Sequence, residues 1–181
     1  MPREQLIACF DIEASGLDPM FAKVLCGVVK PWGEEPKLFS NRRKGSDDSK
    51  VVESLITELN KYTILIAHNG VFYDRKFLNG RALRWNLPFM DPKAKMIDPW
   101  RLAKNHLNFR GNSLARLADF LGTEHSKTEV SGNIWMRAAL DNDPTAHKYI
   151  EEHCVEDVYV LEEIADRFKR FIGNVTAWGS A

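Results

Sequence analysis

Acidic residues interrupt the apolar segments of this chain at three widely separated places, so its fold must offset those charges or leave them buried against hydrocarbon. The segments are Leu6-Ile7-Ala8-Cys9-Phe10-Asp11-Ile12-Glu13, Ile64-Leu65-Ile66-Ala67-His68-Asn69-Gly70-Val71-Phe72-Tyr73-Asp74, and His153-Cys154-Val155-Glu156-Asp157-Val158. A carboxylate beside core-forming side chains is costly to bury unless a partner or a cation balances it. Four such carboxylates converging from the three segments make a natural site for two divalent ions.

The 181 residues suit one well-filled domain, expected over 1–172 with a C-terminal tail at 173–181. Lys+Arg and Asp+Glu both number 25, so there is no overall basic excess of the kind dedicated nucleic-acid binders show. The local basic groups at Arg42-Arg43-Lys44, Arg75-Lys76, Arg81 with Arg84, and Arg101 with Lys104 read mostly as solvated faces. Only Arg75 or Lys76, next to Asp74, is expected to border a site. No apolar run reaches membrane-spanning length. The opening residues do not resemble a signal peptide, and Cys9, Cys26 and Cys154 form no CxxC pair. Reduced thiols and a cytoplasmic location are therefore expected, with no membrane partner.

Residues 6–10, 22–30 and 37–40 read as strands with an antiparallel start, and 64–67 as a further buried strand. The polar loop 41–48 leads into a helix marked by Val51, Leu55, Ile56 and Leu59. Phe77, Leu78, Ala82 and Trp85 mark a second helix that Gly80 weakens. Asp98-Pro99 and Asp143-Pro144 start helices with an acidic N-cap and proline at the first position, and Ser113 or Asn112 caps Leu114 to Leu121, which Gly122 ends. The last helix carries a core stripe of Ile150, Cys154, Val158, Leu161, Ala165 and Phe168. Strands first, one strand between helices, and helices last point to an α/β fold with a mixed sheet.

Asp11 and Glu13, two apart on a strand, leave the same face of the sheet and can grip one ion or two, or form a solvated strand end. Asp74 can be a ligand or the N-cap of the helix that follows it. His153 and Asp157 share one face of the last helix beside its core stripe, whereas Glu151, Glu152, Glu156, Glu162 and Glu163 are expected on the solvated side. Asp91 and Asp98, each before a proline, are explained as a turn and a cap. Asn69 can contact a substrate or stabilise its turn with Gly70, and Phe72 and Tyr73 can stack on bases or join the core.

Together FDIEASGL at 10–17, AHNGVFYD at 67–74 and YIEEHCVEDVYVLEEI at 149–164 resemble the three exonuclease motifs of the DEDD superfamily. They are most similar to the proofreading exonuclease domains of family B DNA polymerases and their stand-alone relatives. The resemblance implies a ribonuclease H-like fold, a mixed β-sheet flanked by α-helices, and Asp11, Glu13, Asp74 and Asp157 as ligands of two Mg²⁺ or Mn²⁺ ions. It further implies that Gly16 and Leu17 receive the terminal nucleotide, with Leu17 a wedge against its base. His153 departs from the pattern: the tyrosine branch leaves three residues between Tyr and the last Asp, and the histidine branch usually leaves four between His and Asp. Here a histidine stands at the tyrosine spacing.

The implied activity is metal-dependent 3′–5′ hydrolysis of single-stranded nucleic acid, DNA in preference to RNA, with His153 as general base. A replication or repair protein is the implied partner. The alternatives are an RNA-processing exoribonuclease, a structure-directed nuclease, or a catalytically weak binding module on the same scaffold.

Overall fold

Strand β1 (Ile7–Ala14) sets the organisation of the molecule. Its side chains alternate between two cores, Ile7 and Cys9 in one and Ala8, Phe10 and Ile12 in the other. By that alternation Asp11 and Glu13 lie on the face of Ile7 and Cys9, past the point where the core closes. The computed structural model describes residues 6–126 and 131–173, so of the tail expected at 173–181 only Gly173 is described.

β1 is the middle strand of five. Strands β2 (Val24–Pro31) and β3 (Lys37–Ser40) extend the sheet antiparallel on one side, and β4 (Ile64–Ile66) and β5 (Lys95–Ile97) extend it parallel on the other, giving the order β3-β2-β1-β4-β5. This is the expected mixed sheet. β5 is an addition to the strands legible in the sequence, since three residues with a lysine among them make too short an apolar run to signal. β1 pairs with β2 from Ala8 to Ala14, with an irregularity at Glu13/Ala14, but with β4 only from Ile7 to Cys9.

Helices α1 (Ser49–Leu59) and α2 (Asp74–Trp85) cover one face of the sheet. The other is covered by α3 (Pro99–His106), α4 (Leu114–Leu121) and α6 (Pro144–Phe168). A short α5 (Gly132–Met136) continues into a π-helical turn, Arg137–Asp141, for which the sequence gives no expectation. The fold is α/β, a mixed sheet flanked by helices. Close approach of α1 to the sheet depends on Gly27, where an added Cβ would lie 2.8 Å from a Leu55 methyl.

The helix starts follow their caps. Asp98 accepts from Trp100 N at 3.0 Å, Ser113 from Arg116 N at 3.4 Å, and Asp143 from Thr145 N at 2.8 Å and Ala146 N at 3.2 Å. Gly122 ends α4 in the left-handed conformation. The stripe of α6 is buried from Ile150 to Phe168 as its spacing predicts. Gly80 does not interrupt α2, because Pro19 packs over it: an added Cβ would lie 3.0 Å from the proline ring.

Three expectations of solvated charge are corrected. Arg81 is only 2% exposed, and Asp48, at the end of the polar loop, is buried against it. Glu151 is also buried, its carboxylate paired with Arg42 at 2.6 Å and accepting from Ser40 Oγ. Glu162 binds the buried Lys30 at 2.5 Å and the Gly33 amide at 2.8 Å. The flank of α6 is thus wrapped by β2 and β3, which a helical wheel of one helix does not reveal. Among the described residues no helix is long and apolar enough to cross a membrane.

Candidate active site

The two faces that carry acids meet. α6 packs on β1, and its turn at His153–Asp157 is placed opposite Asp11 and Glu13. His153 Nε2 lies 3.7 Å from Glu13 Oε1 and 3.7 Å from Asp157 Oδ2. One ligand atom from each of Glu13, His153 and Asp157 falls within 4.8 Å of the others. His153 and Asp157 are buried and Glu13 is partly so. Cys154, on the core side of the same turn, donates its thiol to the Asp11 carbonyl at 3.6 Å and to Asp11 Oδ2 at 3.5 Å.

Asp74 arrives from the third segment. After β4 the chain makes a tight turn in which Asn69 adopts φ 60°, and its carbonyl accepts from Phe72 N and Tyr73 N. Gly70 is required there, because a Cβ would lie 2.2 Å from the Ala67 Cβ. Asp74 is the first residue of α2, and Tyr73 holds the capping position without a side-chain cap bond. Of the two roles open to Asp74, the capping one is therefore not taken. Its carboxylate is buried, and its own backbone amide and that of Ile12, between the two acids of β1, help to hold its charge. Burial and the charge of Asp11 push its pKa well above the ordinary carboxylate value, with a smaller push from Asp98.

Such a cluster holds more negative charge than it can settle alone. The donor set consists of hard carboxylate oxygens with one imidazole, which suits Mg²⁺ or Mn²⁺ better than a thiolate-seeking metal. A buried carboxyl such as that of Asp74, its pKa raised by burial and by a neighbouring acid, is the condition that a bound cation relieves.

The remaining candidates divide. Gly16 belongs to the loop beside the acids, and its carbonyl accepts from Tyr73 Oη at 3.2 Å, tying that loop to the Asp74 turn. Leu17 stands 84% exposed on the loop, and Phe72 is also exposed. Glu13, Gly16, Leu17, Tyr73 and Trp135 line one cavity of about 360 Å³. The backbone amide of Asn69 supports the turn, donating to Asp98 Oδ1 at 2.9 Å. Asp98 is thus a cap that also braces the turn, and burial raises its pKa. Arg75 does not border the acids; it donates to the Asp91 carbonyl at 3.1 Å.

Trp135 is the residue sequence reasoning passed over. Its indole donates to Glu13 Oε2 at 3.0 Å, and its ring meets that of His153 edge-on at 6.2 Å. The only available signal was an isolated tryptophan in a segment without helical periodicity. Trp135→Phe removes the donor and keeps an aromatic ring, so it separates the hold on Glu13 from the edge-on contact with His153.

A family model described as the RNase_H superfamily matches residues 8–169. No curated protein sequence matches the chain significantly. Among solved structures, the family B DNA polymerase from the hyperthermophilic archaeon Pyrobaculum calidifontis superposes with a TM-score of 0.77 at 18% identity. The match covers 94% of this chain and 25% of the polymerase, so the chain spans about a quarter of that protein's length. At this identity the likeness is one of fold.

Proposed function

Since the chain belongs to the RNase_H superfamily, we propose that it is a metal-dependent 3′–5′ exonuclease acting on single-stranded nucleic acid, DNA in preference to RNA. The observation that carries this reading is the meeting of Glu13, His153 and Asp157 within 4.8 Å, with Asp11 and Asp74 beside them. Asp11, Glu13, Asp74 and Asp157 would hold two Mg²⁺ or Mn²⁺ ions. Such ions, when bound, make water nucleophilic near neutral pH and neutralise the leaving 3′-oxygen.

The protein's own groups position and move the proton. His153 Nε2, held between Glu13 and Asp157, accepts a proton as a water oxygen attacks phosphorus and the bond to the 3′-oxygen breaks. The products are a nucleoside 5′-monophosphate and a strand shortened by one nucleotide. Trp135 fixes one oxygen of Glu13 and leaves the other facing His153. Tyr73 keeps its phenolic proton, because burial and the charges of Asp74, Glu13 and Asp11 raise its pKa, and so continues to anchor Gly16. Leu17 on that anchored loop presses on the terminal base, and Phe72 stacks on a neighbouring one.

A 5′-labelled oligonucleotide incubated with Mg²⁺ or Mn²⁺ should give a ladder of shortened labelled products. Release of the label as a mononucleotide would reverse the polarity, and intact DNA and RNA under both metals would refute the activity. His153→Gln is expected to lower kcat on the order of a hundredfold with KM little changed, the size of a general-base contribution. Full activity in that variant would remove His153 from the mechanism.

A further inference from the structure

The chain is neutral overall, but its charge is unevenly placed. α3 carries Arg101 and Lys104 and no acid, and the only acid of α2 is the buried Asp74. Where these helices begin, two aromatic rings meet: Phe72, 51% exposed, lies edge-on to Trp100 at 6.4 Å. Exposed cations crowd both rings. Lys76 Nζ is 5.5 Å and Arg101 Cζ 5.6 Å from the centre of Phe72, and Lys104 Nζ is 4.8 Å from the centre of Trp100. Asp98, two residues before Trp100, is buried and turned inward, with its Oδ1 taken by the Trp100 and Asn69 backbone amides.

We propose that Phe72, Lys76, Trp100, Arg101 and Lys104 form a docking track for single-stranded nucleic acid, outside the acidic centre and leading into it. This rests on the exonuclease reading above. Aromatic faces bracketed by cations satisfy both demands of an unpaired strand, since bases stack on the rings and phosphates meet the charges. A duplex offers no free base faces to such rings. The track is continuous with the acidic centre through the Asn69–Asp98 brace, which links the turn bearing Phe72 and Asp74 to the start of α3. It also answers an electrostatic problem, because a cluster of carboxylates repels a polyanion and a neutral chain provides no general attraction.

The test uses the whole protein and its Lys76→Ala/Arg101→Ala/Lys104→Ala variant. Binding of fluorescein-labelled dT4 and dT16 is followed by anisotropy in EDTA over a range of salt. The variant should melt as the wild type does and bind dT16 at least about tenfold more weakly at low salt. Its log K against log salt slope should be shallower by about 2, that is, roughly 0.7 for each lost phosphate contact. Hydrolysis of thymidine 5′-p-nitrophenyl phosphate, which reaches only the acidic centre, should be unchanged, and Lys76→Arg/Lys104→Arg should bind dT16 normally. Equal dT16 affinity and equal salt slope in the alanine variant would overturn the track. So would loss of poly-glutamate binding with dT16 binding intact, which would assign the face to an acidic protein. A wild type that binds dT16 through this face yet cleaves neither substrate with Mg²⁺ or Mn²⁺ would refute the exonuclease reading and leave the track standing.

Discussion

Asp11→Asn and Asp157→Asn should each abolish strand shortening, with kcat falling on the order of a thousandfold or more, while the protein remains folded. In the proposed function each of these acids helps hold the same cations, so losing any one disables the unit rather than a share of it. Stability should move the opposite way. In EDTA the wild type holds its carboxylates against mutual repulsion, and the Asp74 carboxyl, buried beside Asp11, already has its pKa raised. Asp11→Asn and Asp157→Asn each remove a negative charge from the cluster, and Asp74→Asn replaces a carboxyl already pushed toward its neutral form, so all three should melt at or above the wild-type temperature without metal. With Mn²⁺ the order should reverse, because only the intact cluster gains from binding a cation. Differential scanning calorimetry with and without Mn²⁺ checks both halves. A variant that loses activity because it unfolds in EDTA would contradict the account.

The largest expected effect on stability lies away from the acids. Arg81 and Asp48 form a buried pair, 2.9 Å from Nε to Oδ2 and 2.8 Å from Nη2 to Oδ1, with side chains 2% and 0% exposed. The pair is fully engaged. Asp48 also accepts from Val24 N at 2.8 Å and Trp85 Nε1 at 2.6 Å, and Arg81 donates to the carbonyls of Pro19 at 2.8 Å and Ser46 at 3.2 Å. Asp48→Ala leaves a buried guanidinium without its counter-charge, a loss of about 3–5 kcal/mol. For a chain of this length that lowers Tm by roughly 10 °C. Replacing both partners by apolar residues should recover much of the loss, which a double-mutant cycle followed by urea unfolding measures. Because Arg81 also holds Pro19, Asp48→Ala should loosen the loop that carries Gly16 and Leu17. Loss of terminal-nucleotide affinity is expected even below the melting range.

The acids of β1 were legible because a period of two places Asp11 and Glu13 on one face whatever the rest of the chain does. Asp157 was legible because it lies on the buried side of a long, well-capped helix. The shared role proposed for them rests on the order of the three segments and not on local pattern. Trp135 was hidden by its setting, a five-residue helix running into a π-helical turn with no periodic face to interpret. Arg81 was misread for a different reason: its partner lies 33 residues away in a loop whose polarity looked solvated. Long-range pairing of opposite charges leaves no trace in either segment taken singly. The polarity of α6 was misjudged similarly, since the groups that receive Glu151 and Glu162 come from β2, β3 and the loops that follow them.

β1 gives one side of its backbone to β2 along almost its whole length, yet loses β4 after Cys9. Beyond that point the sheet forks, and the amide of Ile12 would have no strand to bond. A side chain takes the strand's place, since that amide faces the Asp74 carboxylate and helps to hold its charge. The fork makes the Ile12 amide proton a spectroscopic gauge of the centre: its exchange with solvent should quicken in Asp74→Ala, while the amides paired with β2 keep their protection.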